Sequence, residues 1–129
     1  MSGLKKKRLL EFDIEQWVIE NLWKVEKGLK FVAKQVDLGE FGRLDVLARD
    51  SNGHYVILEL KGPEEMADET IVSQVFKYRT GLKMKKEYRI GNPTEVRILC
   101  FVNEIAPKAR KICEHAGVHH STWFASAIV

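Results

Sequence analysis

The chain has 129 residues, with 45% hydrophobic and 30% charged residues, a net charge of +3 and a pI near 8.9. This balance is typical of one globular domain that builds a core without disulfide bonds. No apolar stretch approaches the roughly 18 residues of a membrane span, and no secretory signal is recognisable. We therefore expect an intracellular, cytoplasmic protein without membrane contact.

Basic residues concentrate in two places along the chain. Lys5-Lys6-Lys7-Arg8 forms a basic tail, and a second group follows the middle of the chain: Lys77, Arg79, Lys83, Lys85, Lys86 and Arg89. Such clusters permit a polyanionic partner such as DNA. A solvated tail and a solvated helix end explain the same pattern, so charge alone leaves both readings open.

Hydrophobic periodicity predicts eight elements in chain order. A helix over 9–26 comes first, and Gly28 can close it. The others are strands at 31–36, 43–49 and 54–61, a helix at 66–81, a strand at 95–102, a helix at 107–115 and a strand at 118–125. The segment 83–94 is predicted to be irregular. This α-β-β-β-α-β-α-β order predicts an α/β fold, a mixed sheet flanked by helices, in one domain over 9–129 behind the tail at 1–8.

The strands at 43–49 and 54–61 are joined by Asp50-Ser51-Asn52-Gly53, which is a strong hairpin signal. The third residue of a three-residue hairpin loop adopts a left-handed conformation, and Gly53 accepts it. Counting inward from this loop predicts the following pairs: Arg49 with Tyr55, Leu47 with Ile57, and Asp45 with Glu59.

That register places Asp45, Glu59 and Lys61 on one face of the hairpin. Two carboxylates opposed on neighbouring strands repel each other, and the surrounding residues are apolar. A divalent cation relieves the repulsion, since Mg²⁺ takes carboxylate, water and phosphate oxygens as ligands. Lys61 could then position a water molecule or neutralise charge on a phosphate. The spacing alone leaves an exposed cross-strand charge cluster as the alternative.

These residues resemble the core motif of the PD-(D/E)xK nuclease superfamily. Gly42-Arg43-Leu44-Asp45 followed by Glu59-Leu60-Lys61 is most similar to the catalytic domain of NucS/EndoMS-type and RecB-like nucleases. The resemblance implies a Mg²⁺-dependent hydrolase of DNA phosphodiester bonds, an endonuclease that leaves a 5′-phosphate, with Mn²⁺ as a substitute metal. It assigns Asp45 and Glu59 as metal ligands, the carbonyl of Leu60 as a third ligand, and Lys61 as the lysine that assists the attacking water.

Relatives carry further residues that this sequence matches. Gln74 and Tyr78, four apart on one helical face, correspond to a Gln-x-x-x-Tyr motif and are assigned to the catalytic site. A glutamate of the first helix binds the metal in relatives, and Glu11 aligns best, with Glu15 as the fallback. Substrate contacts are assigned to these basic residues: Arg43, Lys77 and Arg79. For Arg43 a pairing with one of the two acids is the alternative.

The sequence also departs from the family pattern. Leu44 occupies the position of the proline in the family's name, and Gly62-Pro63 follows Lys61 where relatives have a basic residue. The 129 residues hold no counterpart of the separate N-terminal domain of NucS-type enzymes, so the resemblance implies no mismatch or branch specificity. A homodimeric Holliday-junction resolvase and an inactive DNA-binding or regulatory module are the alternative functions.

A zinc site is the remaining alternative, and the sequence disfavours it. Three histidines lie near the end of the chain: His115, His119 and His120. Gly117 interrupts a helix between them, and no cysteine or acid completes a tetrahedral set. The cysteines Cys100 and Cys113 have no metal-ligand spacing, and Cys100 is expected to be a buried, reduced thiol.

Overall fold

The computed structural model describes residues 11–61, 66–67, 70–92, 95–102, 104–105 and 107–122. The predicted basic tail at 1–8, the Gly62-Pro63 step and the end of the predicted last strand lie outside these residues. None of the helices in the described ranges is long and apolar enough to cross a membrane.

Helices and strands alternate along most of the chain. In order, they are α1 (Glu11–Glu20), α2 (Leu22–Val25), β1 (Lys30–Asp37), β2 (Arg43–Arg49), β3 (Tyr55–Leu60), β4 (Met66–Ala67), α3 (Thr70–Met84), β5 (Arg97–Val102), β6 (Glu104–Ile105), α4 (Pro107–Ala116) and β7 (His119–Thr122). Two 3-10 turns lie at Gly39–Phe41 and Lys86–Tyr88. The mixed α/β class predicted from the sequence is therefore observed.

Five strands form the main sheet, in the order β1-β2-β3-β5-β7. The first three are antiparallel, while β5 is parallel to β3 and β7 is parallel to β5. Helix α3 lies between β3 and β5 in the chain, as a parallel pair requires a long crossover. The strand β5 lies inside the sheet with five of its six residues buried, and β7 lies at an edge.

The sheet is covered on both faces. On one face α1 packs Ile14 and Val18 against Val46, Leu58 and other buried strand residues. On the other face α3 packs against residues such as Leu47 and Ile57, and α4 packs against β5. Burial of each large aliphatic side chain stabilises the fold by about 1.5–3 kcal/mol, so these two layers hold the central strands in place.

The bounds of the first two long helices differ from the prediction. The first helix breaks at Asn21, the second begins at Thr70 rather than 66, and Met66–Ala67 instead pairs with β6 in a small second sheet. Helix α3 also continues through Gly81, which the sequence suggested as its end. A Cβ at Gly81 would lie 2.8 Å from Cβ of Phe41, so this glycine permits close packing on the 3-10 turn rather than ending the helix.

The hairpin register agrees with the prediction. Leu47 pairs with Ile57, and Arg49 pairs with Tyr55. Gly53 has a φ of +84°, in the left-handed region that its position in the loop requires. The register of the hairpin was therefore predictable from the loop sequence alone, because glycine adopts a positive φ without strain.

Asp50 holds the hairpin loop from the inside. Its Oδ1 accepts hydrogen bonds of 2.9 Å from the backbone N–H groups of Asn52 and His54, while Oδ2 accepts one of 3.0 Å from Arg97. Burial on its own raises the pKa of Asp50, but these hydrogen bonds outweigh it and hold the pKa below its ordinary value. Arg97 also binds both carboxylate oxygens of Glu26 at 2.7 Å. The loop is thereby tied to α2 and β5.

The edge strand β1 is irregular at two points. Its register with β2 shifts between Phe31 and Ala33, which is a bulge. Further along, Gln35 has a φ of +49°, a left-handed conformation that a non-glycine residue adopts at a cost of about 1–2 kcal/mol. Both irregularities bend the strand away from a flat, extended path.

The hairpin loop provides a test of this fold. Gly53→Ala is expected to lower the free energy of unfolding by about 1 kcal/mol, because alanine disfavours the left-handed conformation. Added Cβ atoms would meet nothing within 4 Å at Gly53 or at Gly91, but only Gly53 has a positive φ. Gly91→Ala is the matched control and should not destabilise the protein. Urea unfolding measures both, and equal effects would contradict the assigned backbone conformation.

Candidate metal centre

The ladder between β2 and β3 stops short of the two predicted acids. The last backbone pair is Val46 with Leu58. The predicted pairing of Asp45 with Glu59 in the ladder is therefore not formed. In a continued ladder the N–H of Leu60 would face the carbonyl of Leu44. Instead it donates to Oδ2 of Asp45 at 2.9 Å. The carboxylate has taken the place of a strand carbonyl, and this substitution ends the pairing.

The two carboxyl groups nevertheless meet. Asp45 is half-buried, Glu59 is only 4% exposed, and the side chain of Glu59 is near enough to lower the pKa of Asp45. Burial raises the pKa of Asp45 above its ordinary value, and hydrogen bonds from Leu60, Glu59 and Gln35 together with the charge of Lys61 offset only part of that rise. Burial thus opposes the ionisation of Asp45, which lies beside a second acid.

Lys61 follows directly on β3. Its backbone N–H donates to the carbonyl of Phe101 at 3.3 Å, which fixes the start of the segment after the strand. Its positive charge lowers the pKa of Asp45, so the ammonium group acts on the same site. Asp45, Glu59 and Lys61 are therefore brought together, although by a route other than a simple cross-strand pair.

The donor set fits a hard divalent cation. Two carboxylates offer oxygen ligands, and water or phosphate oxygens can fill further positions, while the Leu60 carbonyl stays a predicted ligand. Within the ranges that the structure describes, no group of three or more His, Cys, Asp and Glu side chains could hold a metal. A site built from protein side chains alone, as structural zinc requires, is thus not found there. Magnesium accepts the smaller set of protein ligands.

Helix α1 adds an acid to this region. The side chain of Glu11, the predicted metal ligand, lies outside the described part of the structure. Glu15, the fallback, is 7% exposed, and its Oε2 accepts a hydrogen bond of 2.6 Å from Nε2 of Gln35. The side chain of Gln35 also lowers the pKa of Asp45, so it acts on the same carboxyl group. Sequence reasoning missed Gln35, because nothing in a strand pattern marks a residue that leaves the extended conformation.

Gln74 and Tyr78 lie on one face of α3, as their spacing predicted. Nε2 of Gln74 donates to the Tyr78 hydroxyl at 2.6 Å, and the phenol is 5% exposed. A Cβ at Gly42 would come within 3.1 Å of Cε1 of Tyr78, so the ring rests directly on the backbone that leads into β2. The pair is thereby anchored to the segment that carries Asp45.

The three basic residues assigned to substrate have different surroundings. Arg43 and Lys77 are exposed. Arg79 instead donates from Nε and Nη2 to the carbonyl of Val96, at 3.0 and 2.7 Å, and burial lowers the pKa of its guanidinium. Two of its donors therefore fasten α3 to the start of β5. Its contact with substrate stays a prediction.

Comparisons with known proteins identify relatives. A family model described as the endonuclease NucS C-terminal domain matches residues 10–123. The fold superposes on an EndoMS–dsDNA2 complex with a TM-score of 0.72 and 27% identity, over 88% of this chain and 44% of that one. A repair endonuclease from Pyrococcus abyssi gives a TM-score of 0.74 and 27% identity, over 88% and 46%.

A third structure, EndoMS in its apo form, shares the fold at 24% identity, with a TM-score of 0.68 over 88% of this chain and 46% of that one. No curated protein sequence matches the chain. The chain thus spans less than half the length of the solved structures that it resembles.

The buried acid pair leads to a prediction on stability. Asp45→Asn is expected to raise the free energy of unfolding at pH 7, without added metal, by about 1 kcal/mol. The pKa of Asp45 is higher in the folded protein than in the unfolded chain. The protonated Asp45 therefore stabilises the fold most below the pKa of the unfolded chain, and this stabilisation is lost as the pH rises through the pKa of the folded protein. The gain from asparagine should therefore vanish in acid.

Chemical unfolding at pH 7 and at pH 3.5 measures this effect. Asp37→Asn is the matched control, because Asp37 is exposed and accepts a hydrogen bond of 2.9 Å from the N–H of Gly39, which asparagine can also accept. A loss of stability for Asp45→Asn at pH 7 would contradict the unfavourable burial of its charge.

Proposed function

The chain belongs to the family of endonuclease NucS C-terminal domains, and on that premise we propose that it is a metal-dependent nuclease of the PD-(D/E)xK type that hydrolyses DNA phosphodiester bonds. The observation that carries the proposal is the meeting of Asp45 and Glu59 at the point where β2 and β3 stop pairing. A structural role explains neither the broken ladder nor the burial of two acids side by side.

Each core residue then has a defined task. Asp45 and Glu59 would hold Mg²⁺, or Mn²⁺ in its place, together with the carbonyl of Leu60. When bound, the cation would supply positive charge next to the phosphate and lower the pKa of a coordinated water. Lys61 orients the attacking water and stabilises negative charge that develops on the phosphate oxygens. Gln74 donates to Tyr78, whose ring rests against Gly42. From this position on α3 we assign the pair to the approach to the metal centre.

DNA is the proposed substrate on two grounds. The relatives include a repair endonuclease and a protein in complex with dsDNA. This chain carries a net charge of +3, and exposed basic residues such as Arg43 and Lys77 can contact backbone phosphates. Because the solved relatives are more than twice as long as the aligned part, their preference for a DNA structure is not carried over to this chain.

Substitutions of Glu59 and of Lys61 are expected to have different effects on metal binding. Glu59→Gln should weaken Mn²⁺ binding and lower the DNA cleavage rate by about 10³-fold or more, because a metal ligand is lost. Lys61→Met should lower cleavage to a similar extent and leave Mn²⁺ binding near the wild-type value. Calorimetric titration with Mn²⁺ and gel assays of cleavage measure the two effects, and circular dichroism verifies folding.

Exposed residues of the same types supply the controls. Glu40→Gln and Lys30→Met remove an exposed acid and an exposed lysine, and both should retain full activity. The substrates are single-stranded, duplex, mismatched and four-way-junction DNA, each tested with Mg²⁺ and with EDTA. Cleavage that persists in EDTA, or near-normal cleavage by Glu59→Gln, would refute the proposed nuclease. Binding of DNA without cleavage would instead support a DNA-binding module.

A further inference from the structure

Among the residues that the structure describes, Gln35 has a left-handed backbone conformation that neither a turn nor a helix end explains. Two described non-glycine residues have a positive φ, Gln35 at +49° and Arg89 at +53°. Arg89 caps the 3-10 turn Lys86–Tyr88, an ordinary place for a left-handed residue. Gln35 instead lies inside β1, where an extended conformation is the norm and no helix ends.

The contacts of Gln35 account for this conformation. In the β1–β2 ladder Lys34 pairs with Val46 and Val36 pairs with Leu44, so Gln35 lies opposite Asp45. Its Nε2 donates to Glu15 at 2.6 Å, and its side chain also lowers the pKa of Asp45, which faces it across the ladder. An amide nitrogen carries two hydrogens, enough for one bond to each carboxylate. One side chain thus connects α1, β1 and the metal-binding end of β2.

The chemistry of an amide suits this position. A lysine or arginine there would bring a positive charge to the two acids and oppose the binding of a cation. A neutral donor orients both carboxylates and leaves their negative charge available. Non-glycine residues in sparsely populated backbone regions persist where the surrounding structure holds them, and they concentrate at functional sites.

We propose that Gln35 is a positioning residue that fixes the carboxylates of Glu15 and Asp45 relative to each other, and that its left-handed backbone is retained for this contact. This inference rests on the proposed function, because it concerns the geometry that the metal meets. Gln35 touches neither metal nor DNA in this role. It acts through the two acids, as groups that hydrogen-bond to metal ligands do in other metal sites.

Two substitutions distinguish the effect of the side-chain amide from the effect of the left-handed backbone. Gln35→Gly removes the amide and relieves the left-handed strain, while Gln35→Met removes the amide and keeps the strain. Both are expected to weaken Mn²⁺ binding by about tenfold or more, as the loss of a ligand-orienting group does. The two variants should differ in melting temperature without metal, with the glycine variant the more stable by a few degrees.

Arg89→Gly and Arg89→Met are the matched controls, since they make the same changes at the other left-handed position. They should differ from each other in melting temperature in the same sense and bind Mn²⁺ within about twofold of wild type, as expected for exposed positions away from a site. In DNA cleavage, the Gln35 variants should need more Mn²⁺ for half-maximal rate and recover most of their rate when Mn²⁺ is saturating.

The outcomes distinguish the inference from the function it rests on. Normal Mn²⁺ affinity in both Gln35 variants, with wild type binding Mn²⁺, would overturn only the positioning role. Normal affinity in Gln35→Gly alone would also overturn it, because the backbone and not the amide would then control the site. A wild-type chain that binds no Mn²⁺ would overturn the proposed nuclease together with this inference.

Discussion

The hydrogen bond from the backbone N–H of Leu60 to the carboxylate of Asp45 determines much of this structure. It ends the pairing of β2 with β3, and the two strands no longer need to follow each other beyond that point. The N–H stays satisfied, so the departure from regular pairing does not leave a buried donor without an acceptor. An acid that ends a ladder in this way is held in a fixed place by the main chain.

The two ends of the β2–β3 hairpin have opposite electrostatics. At the loop end, Asp50 is surrounded by donors and paired with Arg97, so ionisation is favourable. At the other end, Asp45 and Glu59 are buried together, and burial opposes the ionisation of Asp45. The loop end fixes the register of the two strands, and this register sets the separation of Asp45 and Glu59 at the other end. Rigid scaffolds that support an unfavourable cluster are typical of catalytic sites.

The hairpin and its register as far as Val46 and Leu58 were predictable because they depend on local rules. Glycine at the third loop position sets the register, and the period of two carries it along the strands. Other features depend on contacts between distant segments and escaped prediction. Gly81 is a packing contact with Phe41 rather than a helix end, and Gln35 leaves the extended conformation beside an acid that is ten residues away in the chain. No single stretch of sequence contains such information.

The bent edge strand has a consequence for the behaviour of the protein in concentrated solution. An outer strand offers backbone donors and acceptors to any other chain, and Phe31 and Val32 on β1 are exposed apolar residues that would favour such association. The bulge beside Phe31 and the left-handed turn at Gln35 break that row into short pieces, and Lys34 adds charge to it. The same irregular strand that reaches the acids therefore also guards the sheet against strand-to-strand aggregation.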